Sequence, residues 1–154
     1  MRPLLVIFIL FWITASAEVT EKDIKDWHAK AEQGDTRAQS TLAACYLLGV
    51  GVLKDDSEAF KWYHEAAMLG DSTCQFAVGR CYYFGTGVPK DLVEAYAYFN
   101  LAAITSDHAA GTRSFVAKEM TQDQIEAGQK RSKKIQKEME PKWWQLRRWK
   151  ALFN

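Results

Sequence analysis

Tyr46-Leu47-Leu48-Gly49-Val50-Gly51-Val52-Leu53-Lys54-Asp55 returns 36 positions later as Tyr82-Tyr83-Phe84-Gly85-Thr86-Gly87-Val88-Pro89-Lys90-Asp91. Paired glycines, a valine and a Lys-Asp dipeptide at the same offsets are one turn used twice. The recurrence extends outward, because Gly34, Ala59, Ala66, Ala67 and Gly70 come back as Gly70, Ala95, Ala102, Ala103 and Ser106. A fixed period of this size means stacked supersecondary units, each too small to bury its apolar face alone. Such a chain is built to hold something rather than to transform it.

Each unit reads as two amphipathic helices around the glycine turn. Ala38, Leu42, Cys45 and Tyr46 fall at three- and four-residue spacing on a first helix ending near Leu48. Gly49 and Gly51 break it, with Val52 tucked beneath the turn. Ser57 or Asp56 is expected to cap the second helix, Ala59, Trp62 or Tyr63, Ala66 and Ala67 to face inward, and Gly70 to end it as a left-handed cap. The next unit repeats the plan with Ala77, Gly79, Cys81 and Tyr82, then Ala95, Tyr98, Phe99, Ala102 and Ala103. Ahead of the first full unit, Thr20 to Gln33 reads as a lone second helix. After the second, His108 to Glu119 is a degraded first helix, and Thr121-x-x-Gln124 is a capping box opening a helix from Gln122 to about Glu138. Full units span about residues 36–71 and 72–107, with partial units at both ends of an 18–140 domain.

These motifs resemble Sel1-like repeats: Ala38-x-x-x-Leu42, Tyr46-x-x-Gly49-x-Gly51-Val52-x-Lys54-Asp55 and Ala59-x-x-Trp62-Tyr63-x-x-Ala66-Ala67-x-x-Gly70. The resemblance covers about residues 23 to 137. It implies an all-α fold, a short right-handed α/α solenoid of helix-turn-helix units with a C-terminal helical extension. It also implies a non-catalytic adaptor that contacts a protein partner through its concave face. A cysteine-rich branch of the same family binds or slowly hydrolyses β-lactams, placing one cysteine at the second alanine of the helix-ending pair and another near the start of the next helix. Here those positions are Ala67 and Cys74, so half of that bridge is missing and the enzymatic alternative loses its main support.

The first seventeen residues read as an export signal. Arg2 is followed by an unbroken apolar run from Leu4 to Ile13 and by the small-x-small site Ala15-Ser16-Ala17, so cleavage is expected after Ala17. An apolar helix of that length covers roughly 15 Å, about half of a hydrocarbon core. A periplasmic or secreted product is the expectation. Beyond the signal, basic and acidic residues balance at nineteen each, which gives no general attraction to nucleic acid. Their distribution is uneven: residues 18–117 carry nine basic and fourteen acidic groups, residues 118–154 ten basic and five acidic. The two parts should attract one another, within one chain or between copies.

No constellation points to catalysis, a cofactor or a metal. His28 and His64 recur with the period, but the third equivalent is Asn100 and no further ligand accompanies them. Cys45 and Cys81 share one register position, and a cross-link between units competes with the reading of all three cysteines, Cys74 included, as small buried apolar residues. The residues the core does not claim are the candidate partner contacts. Arg37 and Leu47 on the first unit, and Phe76, Arg80 and Tyr83 on the second, fall on the outward side of the first helices. The last three form an aromatic and basic stripe of the kind enriched at binding hot spots. Packing of Phe76 and Tyr83 against a neighbouring helix is the plainer alternative.

Outside the repeat lies a tail, residues 141–154, rich in Trp and Arg. Pro141 suits the start of a helix with Trp143, Trp144, Leu146, Trp149 and Phe153 as its apolar content and Arg147 and Arg148 beside them. It reads as a cover for the open end of the array, with partner contact next and a membrane surface last.

Overall fold

The structure is a computed structural model that describes residues 19–139. The export signal and the tail of residues 141–154 lie outside the described residues. Among those described there are seven helices and no strand: α1 Glu21–Glu32, α2 Thr36–Leu48, α3 Asp56–Met68, α4 Ser72–Phe84, α5 Leu92–Ala102, α6 Asp107–Ala117 and α7 Gln122–Met139. The expected all-α fold is what the chain adopts, in short helix pairs.

Side-chain capping sets where the helices begin. Thr20 and Asp23 close a reciprocal box at α1, and Thr121 and Gln124 do the same at α7. Aspartates open the next four helices at the period of the repeat: Asp35, Asp55, Asp71 and Asp91. The cap of α3 is therefore Asp55, not Ser57 or Asp56. Its Oδ1 accepts from the amides of Ser57 and Glu58, the two donors a carboxylate just ahead of the first turn can reach. Lys54 Nζ lies 3.3 Å from Asp56 Oδ1.

The ends follow two rules. α2 and α4 stop at Gly49 and Gly85, both left-handed. α1 and α3 are capped by Gln33 and Leu69, with the left-handed glycine one residue later. At α3 the amides of Gly70 and Asp71 return to the carbonyls of Ala67 and Ala66, so the glycine closes the helix from just outside it.

Within each unit the pairs α2–α3 and α4–α5 pack along their length, and α3 against α4 joins the units. Two repeated devices lock them together. Buried Gln39 and Gln75 donate to the carbonyls of Ala31 and Ala67 at 3.0 and 3.3 Å, tying each first helix to the end of the preceding second helix. Each glycine turn also rests on the start of the preceding second helix: Gly51 lies against Val19 and Ile24, and Gly87 against the carbonyl of Asp56.

The last helix departs from the plan. α6 packs on α5, but α7 does not pair along α6; it crosses to α5 and touches α3. Ile135 on its inner face is fully buried among Ala66, Ala67, Cys74, Val78, Ala97, Tyr98 and Leu101. Burying one such side chain contributes roughly 2 kcal/mol. Gly128 permits close approach, since a Cβ there would sit 2.7 Å from the Tyr96 ring. Arg131 pairs with Glu94 at 2.6 Å, and Asn100 accepts from Arg113 and donates to Ser132, linking α5, α6 and α7. Of these contacts, Arg131–Glu94 joins the basic part of the chain to the acidic part.

The three cysteines are buried and free, so the Cys45–Cys81 cross-link is not formed. Cys45 packs with Leu42, Ala43 and Trp62, whereas Cys81 lines a depression with Leu47 and Tyr63 of the preceding unit. Tyr63 packs against both the first-unit and the second-unit core.

Candidate functional site

Among the described residues, the face built by α2, α4 and α6 carries the most exposed large aromatics. Phe84, at the end of α4, is 65% exposed and Phe115, on α6, is 57% exposed. Between them runs a shallow groove lined also by Phe76, Arg80, Tyr83, Thr112 and Val116, with Phe99 as its floor. A second depression adjoins it on the side of α2, lined by Leu47, Tyr63, Ala77, Arg80, Cys81, Phe84 and Thr86. Arg80 and Phe84 belong to both and form the ridge between them.

Local packing explains the arrangement. Phe76 lies 5.3 Å from Phe99 and 5.1 Å from His108, ring centre to ring centre, so it is half-buried and wedged between α5 and α6. Tyr83 donates its hydroxyl to Glu119 Oε1 at 2.6 Å, stacks edge-on with Phe84, and has Lys90 Nζ 5.2 Å above its ring. The bond to Glu119 raises the Tyr83 phenol above its usual range, because ionisation would set two negative charges together. Arg80 is exposed, with its guanidinium 6.0 Å from the Phe84 ring centre.

The expected contacts Phe76, Arg80 and Tyr83 are brought together here, and Leu47 joins them across the ridge. Phe76 and Tyr83 are each packed on a neighbouring group, and each also lines the groove. Arg37 is exposed at the start of α2 and lines neither depression. Phe84 and Phe115 escaped the sequence reading. Phe84 follows Phe76 and Arg80 at four-residue steps, and Leu48, its partner in the period, is 71% exposed. An apolar residue kept at the last helical position of both units was the available signal.

His28 and His64 do not converge on a metal. His28 Nε2 lies 3.1 Å from the Tyr46 hydroxyl and edge-on to Trp62, while His64 sits between Phe60 and Tyr98. Burial lowers the His64 pKa below its ordinary value. Asn100, the third residue of that series, serves the network that holds α6 and α7. Burial also pushes the Cys74 and Cys81 thiols up, to about 12 and about 11, and keeps them protonated. Ala67 and Cys74, the two places of the bridge found in the β-lactam-binding branch, share one core cluster.

The family model of the Sel1 repeat matches residues 36–71 and 72–104. A solved structure of a protective antigen present in uropathogenic Escherichia coli strains, which displays an SLR fold, is 30% identical over 80% of this chain, with a TM-score of 0.73. This chain spans about a quarter of that protein, 27% of its length. The crystal structure of a Sel1 repeat protein from Oxalobacter formigenes is 36% identical, covering 61% of this chain and 71% of the other, with a TM-score of 0.59. Comparison with curated protein sequences gives no match.

Proposed function

The chain belongs to the Sel1 repeat family, and from that premise we propose that it is an exported, non-catalytic interaction module whose α2–α4–α6 face binds a protein partner. Repeats of this family generally bind proteins and are generally not enzymes. The observation that carries the reading is the pair Phe84 and Phe115, more than half exposed, bracketing a groove that already holds Phe76, Tyr83 and Arg80. Exposed aromatics gathered with an arginine on a rigid helical face are costly to leave in water and are the residue types that anchor interfaces.

Two measurements test it. Cross-linking of the intact protein in the cells that make it, repeated with Phe84→Ala and with Arg80→Ala plus Tyr83→Ala, should lose the same partner in both variants; an unchanged set of partners discards the groove. Export rests on the Arg2, Leu4–Ile13 and Ala15-Ser16-Ala17 pattern. The N-terminus of the mature protein should then read from Glu18, and retention of residues 1–17 would sink that part.

A further inference from the structure

The ridge of the groove carries a charge with no ion-pair partner among the described residues. Among the described residues Arg80 has no carboxylate in ion-pairing range, and neither has Lys90 above the Tyr83 ring. On the Tyr83 side, Glu119 is already held by the tyrosine hydroxyl. Arg80 separates two depressions with apolar walls: Leu47, Ala77 and Phe84 on one side, Phe76, Phe99 and Phe115 on the other. A guanidinium recognises a carboxylate by two parallel hydrogen bonds.

We propose that the groove takes an acidic peptide segment, with one Asp or Glu side chain seated on Arg80 and an apolar side chain on either side of it entering each depression. The proposal rests on the reading of this face as the partner surface. An internal carboxylate fits better than a chain terminus, because a peptide that ended on Arg80 would leave one of the two depressions empty. The protein's own residues 141–154 do not suit the site: they bring Lys142, Arg147, Arg148 and Lys150 and no acidic side chain, setting like charges against Arg80 and Lys90.

Selection of random displayed peptides on the intact protein, followed by fluorescence anisotropy of the enriched sequences as labelled synthetic peptides, tests this. Enriched peptides should carry an Asp or Glu bracketed by apolar residues, and Arg80→Gln should weaken them about ten-fold or more. The same substitution should barely affect peptides whose acid is replaced by its amide, whereas Phe84→Ala should weaken both kinds. Enriched peptides without an acid, or an equal loss from Arg80→Gln for acid and amide forms, overturn the proposal while a loss with Phe84→Ala leaves the groove standing. Binding indifferent to both Phe84→Ala and Phe115→Ser removes the groove itself. A cross-link from a photoreactive residue at position 115 to residues 141–154 of the same chain overturns the proposal in favour of the tail.

Discussion

In the first full unit, α2 with α3, the 36-residue register sets Ala43 and Tyr63 at the places that Gly79 and Phe99 take in the second, α4 with α5. Tyr63 is half-buried between two clusters, whereas Phe99 is 1% exposed and lies directly under Gly79, where a Cβ would come within 2.8 Å of its ring. On the surface above, Ser40, Ala44 and Leu48 of α2 give way to Phe76, Arg80 and Phe84 of α4. Caps, glycine turns and buried glutamines are shared by both units. The scaffold therefore repeats while packing and surface diverge, and the divergence is concentrated where the groove is.

The sharpest way to break the likeness is at the turns. Gly51 and Gly87 both have positive φ, near 71°, but a Cβ at Gly87 would lie 1.9 Å from the Asp56 carbonyl oxygen, while one at Gly51 meets the ends of the Val19 and Ile24 side chains. Side chains can move aside and the start of a helix cannot. Gly87→Ala should cost about 3 kcal/mol or more and Gly51→Ala roughly half as much, read by urea unfolding. Equal losses would mean that the two turns dock alike.

Exchange at the helix crossing comes next. Gly79→Ala must displace the Phe99 ring and should cost about 2 kcal/mol despite the better helix former, whereas Ala43→Gly should cost about 1–2 kcal/mol through lost propensity and a lost methyl. A stabilised Gly79→Ala protein would show that the second unit is not packed more closely than the first.

A smaller difference separates the matched thiols. An ordinary thiol ionises near 9.0, and burial raises Cys81 to about 11; Cys45 is raised in the same direction. The folded chain keeps these protons longer than the unfolded one, so the stabilisation is complete below pH 9 and is lost as pH climbs towards 11. At pH 10 the Cys81 thiol should account for about 1 kcal/mol of the lost stability, so Cys81→Ala should flatten the alkaline limb of a stability–pH profile more than Cys45→Ala. A profile flat from pH 8 to about 10.5 would contradict buried thiols. The smallest expected difference is at the caps: Asp55→Ala and Asp91→Ala should each cost about 1 kcal/mol, alike within error, because both carboxylates accept the same pair of amides.

Much of this frame was legible from local chemistry. The helix limits at Thr20, Gly49, Gly85 and Thr121 follow from caps and glycines that act within a few residues. The assignment of α3 missed by one residue, because Lys54-Asp55 reads as a turn pair until the carboxylate is seen bonding to the amides beyond it. Phe76, Arg80 and Tyr83 could be singled out as outward residues, but Phe84 and Phe115 could not. Their exposure depends on what α5 and α6 leave uncovered, and no spacing within one helix reports that.

By itself the sequence determined a stack of helix pairs, their turns, and the family to which the repeats belong, since these rest on φ preferences, capping and a period that need no knowledge of distant neighbours. Only the tertiary structure decided that α7 leaves α6 to bury Ile135 against α3, α4 and α5, that the thiols stay unbonded, and that Arg80 forms the ridge between two apolar depressions. Each of those outcomes depends on which of several apolar faces is buried against which, and that competition is settled by the summed contact of helices far apart in the chain.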